Sequence, residues 1–150
     1  MAPYLLTALI DRPDRLVYLS SGMHQGGDPD FADLQWELRR WNGAQAYSDS
    51  KLLDAALAFI VAARWPGVMA NAVEPGWVAT KMGGPGAPDD LTQAPLTQVW
   101  LAASSETADV TGGYFYHQRP RSPAQLAQDD GLHQRFLESC VSLTGVALAA

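Results

Sequence analysis

Tyr47-Ser48-Asp49-Ser50-Lys51 sets a phenol and an ammonium four positions apart at the opening of a strongly helical run. One helical turn puts both on the same face. A phenol with an ordinary pKa of about 10 is a weak acid at neutral pH, and a cation held close by favours its phenolate form. The pair is therefore a candidate proton-transfer device. Taken alone the spacing decides little, because a surface tyrosine and lysine one turn apart are commonplace. Apolar residues Leu52, Leu53, Ala56, Leu57, Phe59, Ile60 and Ala63 continue the run at helical spacing, and Trp65-Pro66-Gly67 stops it, so a helix over 46–64 is expected.

Working outward, Asp14-Arg15-Leu16-Val17-Tyr18-Leu19-Ser20-Ser21-Gly22 reads as a buried strand that ends in two hydroxyls and a glycine. Gly67-Val68-Met69-Ala70-Asn71-Ala72-Val73-Glu74-Pro75-Gly76 reads as a second strand that ends in Pro-Gly and runs on into Trp77-Val78-Ala79-Thr80. Thr111-Gly112-Gly113-Tyr114-Phe115-Tyr116 makes a last short strand. Helices are expected over 2–10 and 95–103, with a polar excursion over 23–45 that carries a short helix around Asp33 to Arg39. Ser122-Pro123-Ala124-Gln125 has the hydroxyl, proline and amide of a helix start, and Gly145 marks that helix's end. Asp89-Asp90 and Asp129-Asp130 are each expected to favour a helix N-terminus. Alternating strands and helices give an α/β class with a parallel sheet. Ligands of such sheets bind beyond the carboxyl ends of the strands.

Read in order as strand, serine, Tyr-x-x-x-Lys helix, strand, asparagine, Pro-Gly and threonine, the chain resembles the short-chain dehydrogenase/reductase family over about residues 2–145. It looks most like the branch with retinol-dehydrogenase-like and WW-domain-oxidoreductase-like members. Those place a Ser-Ser-x-x-His segment, here Ser20-Ser21-Gly22-Met23-His24, well before the tyrosine. The resemblance implies the C-terminal part of a Rossmann-type doubly wound parallel sheet, about three strands with flanking helices. It implies that Ser21 hydrogen-bonds the substrate carbonyl, with Ser20 as the alternative if the register differs by one. Tyr47 would be the general acid/base, and Lys51 would both lower the tyrosine pKa and hold the nicotinamide ribose. Pro75, Gly76 and Thr80 would lie along the nicotinamide and pyrophosphate side of the cofactor, while Asn71 would brace the sheet. Trp77 is a candidate wall of the substrate pocket. The implied cofactor is NADP or NAD, the former commoner in this branch. The implied partner is a small-molecule carbonyl or alcohol, of apolar character if residues 23–45 and 77–90 shape its pocket.

Three parts of the family pattern have no counterpart: the glycine-rich turn after the first strand, the ribose-selecting residue after the second, and an Asn-Asn-Ala-Gly-like segment after the fourth. Gly22, Gly26 and Gly27 follow the wrong strand, and Gly83-Gly84-Pro85-Gly86 reads as a loop. Residues 1–150 are therefore expected to be the C-terminal catalytic half of a dehydrogenase domain without its N-terminal dinucleotide-binding half, Met1 being internal to a longer protein. Two readings follow. One is an oxidoreductase, impaired unless the upstream half is supplied, and the other is a catalytically silent fragment that acts through protein association. The serine strand is expected to expose a sheet edge, which favours association, and the Tyr47 helix is an interface helix in relatives, so a homo-oligomer is a candidate state.

Composition narrows the function classes further. Ten basic against sixteen acidic residues leave a net charge of −6, which disfavours nucleic acid or an anionic membrane as a partner. With 47% hydrophobic and 17% charged residues the chain is a folding sequence, and no apolar run approaches a bilayer span. A reducing cytoplasm is the default location. Cys140, the single cysteine, is expected to be a small core residue. His24, His117 and His133 are scattered with no partners at metal-ligand spacing, and no Gly-x-Ser-x-Gly elbow marks a serine hydrolase.

Overall fold

Side chains of a strand point alternately to opposite faces of its sheet, and the apolar residues of three segments obey that rule. Tyr18, Ala70, Ala72 and Tyr114 face one core, while Val17, Val73 and Phe115 face a second, smaller one. The segments are β1 (Arg15–Leu19), β2 (Met69–Glu74) and β3 (Tyr114–Tyr116), with a two-residue β4 (Arg119–Pro120). The structure, a computed structural model, describes residues 1–149. Its sheet has the order β1-β2-β3-β4, parallel throughout except for the β3–β4 pair, with Tyr18 opposite Ala72 and Val73 opposite Phe115. The α/β class and the mostly parallel sheet expected from the pattern are present, and β1 is an edge strand among the described residues.

Helix α1 (Ala2–Leu9) precedes β1, and α2 (Gly43–Arg64) makes the crossover from β1 to β2. The Asn42 side chain caps α2 by accepting the Gln45 N–H at 3.2 Å. Because α2 is enclosed by the sheet, by α4 (Asp130–Thr144) and by two 3-10 turns, it buries residues on nearly every face, from Leu52 through Val61. Burying a side chain such as Leu52 or Leu57 is worth about 2–3 kcal/mol each. Approach is closest at Gly27, where a Cβ would stand 2.6 Å from the Leu52 Cβ and 2.9 Å from the Ser48 carbonyl oxygen. Only glycine lets the excursion lie that close to α2.

The smaller core lies under α3 (Leu96–Ala103), whose Leu101 and Trp100 meet Val73 and Phe115. Arg15 at the start of β1 donates from Nη1 to the carbonyls of Leu101 at 3.1 Å and Ser104 at 2.8 Å, so a guanidinium satisfies the C-terminal carbonyls of α3. Asn71 braces the sheet as expected: buried, it donates to the Val110 carbonyl at 2.6 Å and accepts the Gly113 N–H at 2.9 Å. Cys140 is fully buried, and burial pushes its thiol up to about 11.

Three local expectations are corrected. No helix forms around Asp33 to Arg39, because the buried Asp33 carboxylate accepts the backbone N–H groups of Glu37, Leu38 and Arg39 and wraps the chain around itself. Trp36 there has a φ of 58°, a left-handed value that no helix admits. The helix forecast from Ser122 starts later: residues Gln125–Gln128 form a 3-10 turn with no side-chain cap, and α4 is capped by Asp129, which accepts the Leu132 N–H at 2.6 Å. Gly131 sits inside the first turn of α4. Asp89 and Asp90 cap no helix, since Asp89 accepts the Trp77 N–H and Asp90 closes a turn onto the Thr92 N–H at 2.8 Å. Asp129-Asp130 does serve a helix start, and Gly145 ends α4 with a φ of 71°.

Candidate active site

Tyr47 and Lys51 lie one turn apart in the N-terminal half of α2, and the Lys51 side chain reaches the carboxyl end of β1. The Lys51 ammonium lies 5.9 Å from the centre of the Tyr47 ring. It donates to the Leu19 carbonyl oxygen at 2.9 Å and to Asp54 Oδ2 at 2.8 Å. An ammonium has three N–H donors, and these two bonds engage two of them. Asp54 was not singled out from sequence. Its position one turn beyond Lys51 was the available signal.

The two serines at the end of β1 have different surroundings. Ser20 is 3% exposed and donates its hydroxyl to the Lys51 carbonyl at 2.8 Å. Its backbone N–H extends the ladder to Val73 at 2.8 Å. Ser21 is half-buried and caps a 3-10 turn, Gly22–Gly26, by accepting the Met23 N–H at 3.3 Å. Its single O–H donor remains available. Of the pair, Ser21 presents its hydroxyl outward and Ser20 spends its own on the helix.

Pro75, Gly76, Trp77 and Thr80 follow the end of β2. Gly76 has a φ of 91°, and a Cβ there would meet Asp89 Oδ2 at 2.8 Å. The sharp turn and the Asp89 contact both require glycine. Trp77 is 60% exposed, with its indole N–H donating to the Gly83 carbonyl at 2.8 Å. Thr80 is exposed, and its hydroxyl accepts the Gly83 N–H at 3.0 Å. The loop over 77–84 is thus closed by its own hydrogen bonds. Among the described residues, no hydrogen bond, ion pair or ring contact joins Trp77 or Thr80 to Tyr47 or Lys51.

Sequence reasoning missed a second polar group at the same strand ends. Glu74 closes β2, Tyr114 opens β3 and Arg121 follows β4; together with Gly22 and His24 they wall a cavity of about 340 Å³. Arg121 pairs with Glu74 at 3.4 Å, and the Tyr114 hydroxyl donates to the same carboxylate at 3.4 Å. Burial first, and the Glu74 charge second, push the Tyr114 phenol well above its ordinary range. Burial lowers the His24 pKa, against smaller opposite pulls from the Ser21 carbonyl and Glu74. The adjacency of Glu74 to Pro75 was the one sequence hint. A larger cavity of about 530 Å³ between α1, the 34–41 segment and α2 has Lys51 and Asp54 on its wall.

No family model matches the chain. The short-chain dehydrogenase chyC of Penicillium rubens is 34% identical over all of this chain and 60% of its own length. Retinol dehydrogenase 13 of Homo sapiens is 31% identical over 95% of this chain and 51% of its own. The fold is similar to the crystal structure of an uncharacterized protein from Mycobacterium paratuberculosis, with a TM-score of 0.67 at 21% identity, covering 91% of this chain and 52% of that one. The chain thus spans 51–60% of the length of these curated relatives. With a Tyr-x-x-x-Lys helix laid against the serine end of a parallel strand, and relatives that are dehydrogenases over its whole length, the chain belongs to the short-chain dehydrogenase/reductase family, as a C-terminal portion of its members.

Proposed function

We propose that this chain supplies the catalytic half of an NAD(P)-dependent oxidoreductase acting on a small-molecule carbonyl or the corresponding alcohol. The observation that carries the reading is the Lys51–Leu19 hydrogen bond, which binds the proton-transfer face of α2 to the end of the serine strand.

The residues present fit the nicotinamide-ribose end of such a cofactor. Lys51 keeps a donor for a ribose hydroxyl, and Pro75 and Gly76 turn the backbone away at the carboxyl end of β2. Thr80 offers a hydroxyl donor further along, on the pyrophosphate side. The bound nicotinamide would supply or accept the hydride. Ser21, whose oxygen already accepts the Met23 N–H, donates its own proton toward the substrate oxygen and holds it. Tyr47 delivers a proton to that oxygen during reduction and removes one during oxidation. Lys51 stabilises the phenolate that forms, through its charge in a partly enclosed site. Trp77, exposed beside the Pro-Gly turn, would border the substrate.

Titration of NADPH and NADH, followed by single-turnover reduction of an aromatic ketone, tests the reading. Saturable dinucleotide binding with ketone-dependent oxidation is the expected result. A protein that binds neither nucleotide and oxidises none in the presence of the ketone would refute it.

A further inference from the structure

His24 is 1% exposed, lies three residues after Ser21, and has both ring nitrogens engaged. Nε2 is 3.0 Å from the Ala124 backbone nitrogen, and a backbone amide can only donate. Nε2 is therefore the unprotonated nitrogen. The neutral ring keeps its proton on Nδ1, which lies 2.7 Å from the Ser21 carbonyl oxygen and donates to it. The same carbonyl accepts the His24 backbone N–H at 3.0 Å, so residue 24 grips residue 21 twice. Tyr114 holds the ring from the side, stacked at 4.5 Å with its hydroxyl 3.2 Å from Nδ1. The charged groups facing this cluster are Glu74 and Arg121, which pair with each other.

This arrangement has a consequence for Ser21 itself. Its carbonyl is locked by the imidazole and its Oγ is engaged by the Met23 N–H, so two bonds define how the hydroxyl leaves the strand. Neither bond involves α2. The Ser21 hydroxyl is thus oriented by its own 3-10 turn, with His24 backed by Tyr114 of β3, while Lys51 is held between α2 and the end of β1.

We propose that His24 is a positioning residue for the dehydrogenase reaction. Its neutral imidazole, clamped between the Ser21 carbonyl and the Ala124 amide, aims the Ser21 hydroxyl at the substrate oxygen and ties that aim to the segment closing the Glu74–Tyr114–Arg121 cavity. The inference rests on the part assigned to Ser21 above. A charged imidazole cannot accept from Ala124, so the clamp exists only in the neutral form, and no residue lacking a donor at the Nδ1 position can reproduce the hold on Ser21.

Two measurements test it. Nitrogen-15 spectra of the imidazole at neutral pH should show a protonated Nδ1 and an unprotonated Nε2; the opposite tautomer, or a charged ring, overturns the clamp. In turnover, His24→Ala should lower kcat about a hundredfold, as expected for a misdirected catalytic group, with dinucleotide affinity unchanged. His24→Asn, whose amide nitrogen replaces the Nδ1 donor, should recover most of that loss, and His24→Gln, which reaches toward Ala124 instead, should not. In a Ser21→Ala background the same His24→Ala change should cost almost nothing further. Losses that simply multiply, or equal rescue by Asn and Gln, would show that His24 does not act through Ser21. If the protein turns over no carbonyl at all, the proposed function fails, while the nitrogen spectrum still upholds or overturns the clamp by itself.

Discussion

Lys51 Nζ donates to the Leu19 carbonyl oxygen across 2.9 Å, joining a residue in the third turn of α2 to the last residue of β1. The bond places an ammonium at the carboxyl end of the edge strand, one residue from Ser20 and two from Ser21. Asp54, at 2.8 Å, holds the same ammonium from the helix.

Lys51→Met removes the cation from beside Tyr47 and leaves the Leu19 carbonyl without that donor. Turnover should fall by about 10²–10³, the range expected when general acid–base transfer loses its supporting charge. Steady-state reduction of a ketone with NADPH or NADH measures this. Activity within a few fold of the parent would remove Lys51 from the mechanism.

Tyr47→Phe deletes one oxygen from a half-buried ring and alters little else. The expected outcome is a loss of turnover of about 10²–10⁴, with nucleotide affinity largely intact. Fluorescence titration beside the kinetic assay separates the two effects, and a variant that loses affinity in proportion to rate contradicts the assignment.

Asn71→Leu should destabilise the fold by about 2–4 kcal/mol, because it strands the Val110 carbonyl and the Gly113 N–H in the sheet at the same time. Urea unfolding followed by tryptophan fluorescence reports it as a lower midpoint. An unchanged midpoint would mean that the Asn71 amide does not brace the β2–β3 connection.

Gly76→Ala should cost about 1–3 kcal/mol, since its φ of 91° disfavours an L side chain and the added Cβ would press on the Asp89 carboxylate at 2.8 Å. The same unfolding assay applies. Asp89→Ala in the alanine background should relieve the crowding but not the backbone strain, so only partial recovery is expected.

Stability should decline in mildly acidic solution through His24. Burial lowers its folded-state pKa from 6.5, so below 6.5 the unfolded chain takes up a proton that the folded chain refuses. The loss grows as pH falls from the unfolded value toward the lowered folded one, and stops growing below it. Urea midpoints for the protein and for His24→Asn between about pH 7.5 and 5 isolate this contribution, because the variant cannot titrate there. Parallel pH dependences for the two proteins would exclude it.

Much of the fold could be read before any geometry was known. The α2 run from Leu52 to Val61 and the β-rich segments ending in Ser20-Ser21 and Pro75-Gly76 carry period and punctuation strong enough to place them. The short helix expected around Asp33 failed because one buried carboxylate captured three backbone donors, an interaction that depends on how the excursion packs on α2. Ser122 failed as a cap for a related reason. The chain there stays extended, so that the Ala124 N–H can reach His24, and the helix waits for Asp129.

From its residues alone this chain declares an α/β order, a Tyr-x-x-x-Lys turn and a pair of serines at a strand end, because periodicity and short-range spacing are properties of neighbours along the chain. Which serine faces outward, that Lys51 reaches Leu19, and that His24 grips Ser21 from beneath Tyr114 depend on partners 31, 32 and 90 positions apart. Such pairs meet only once the sheet has brought its strands side by side. Hydrogen-bond competition at those meeting points then assigns each side chain its partner.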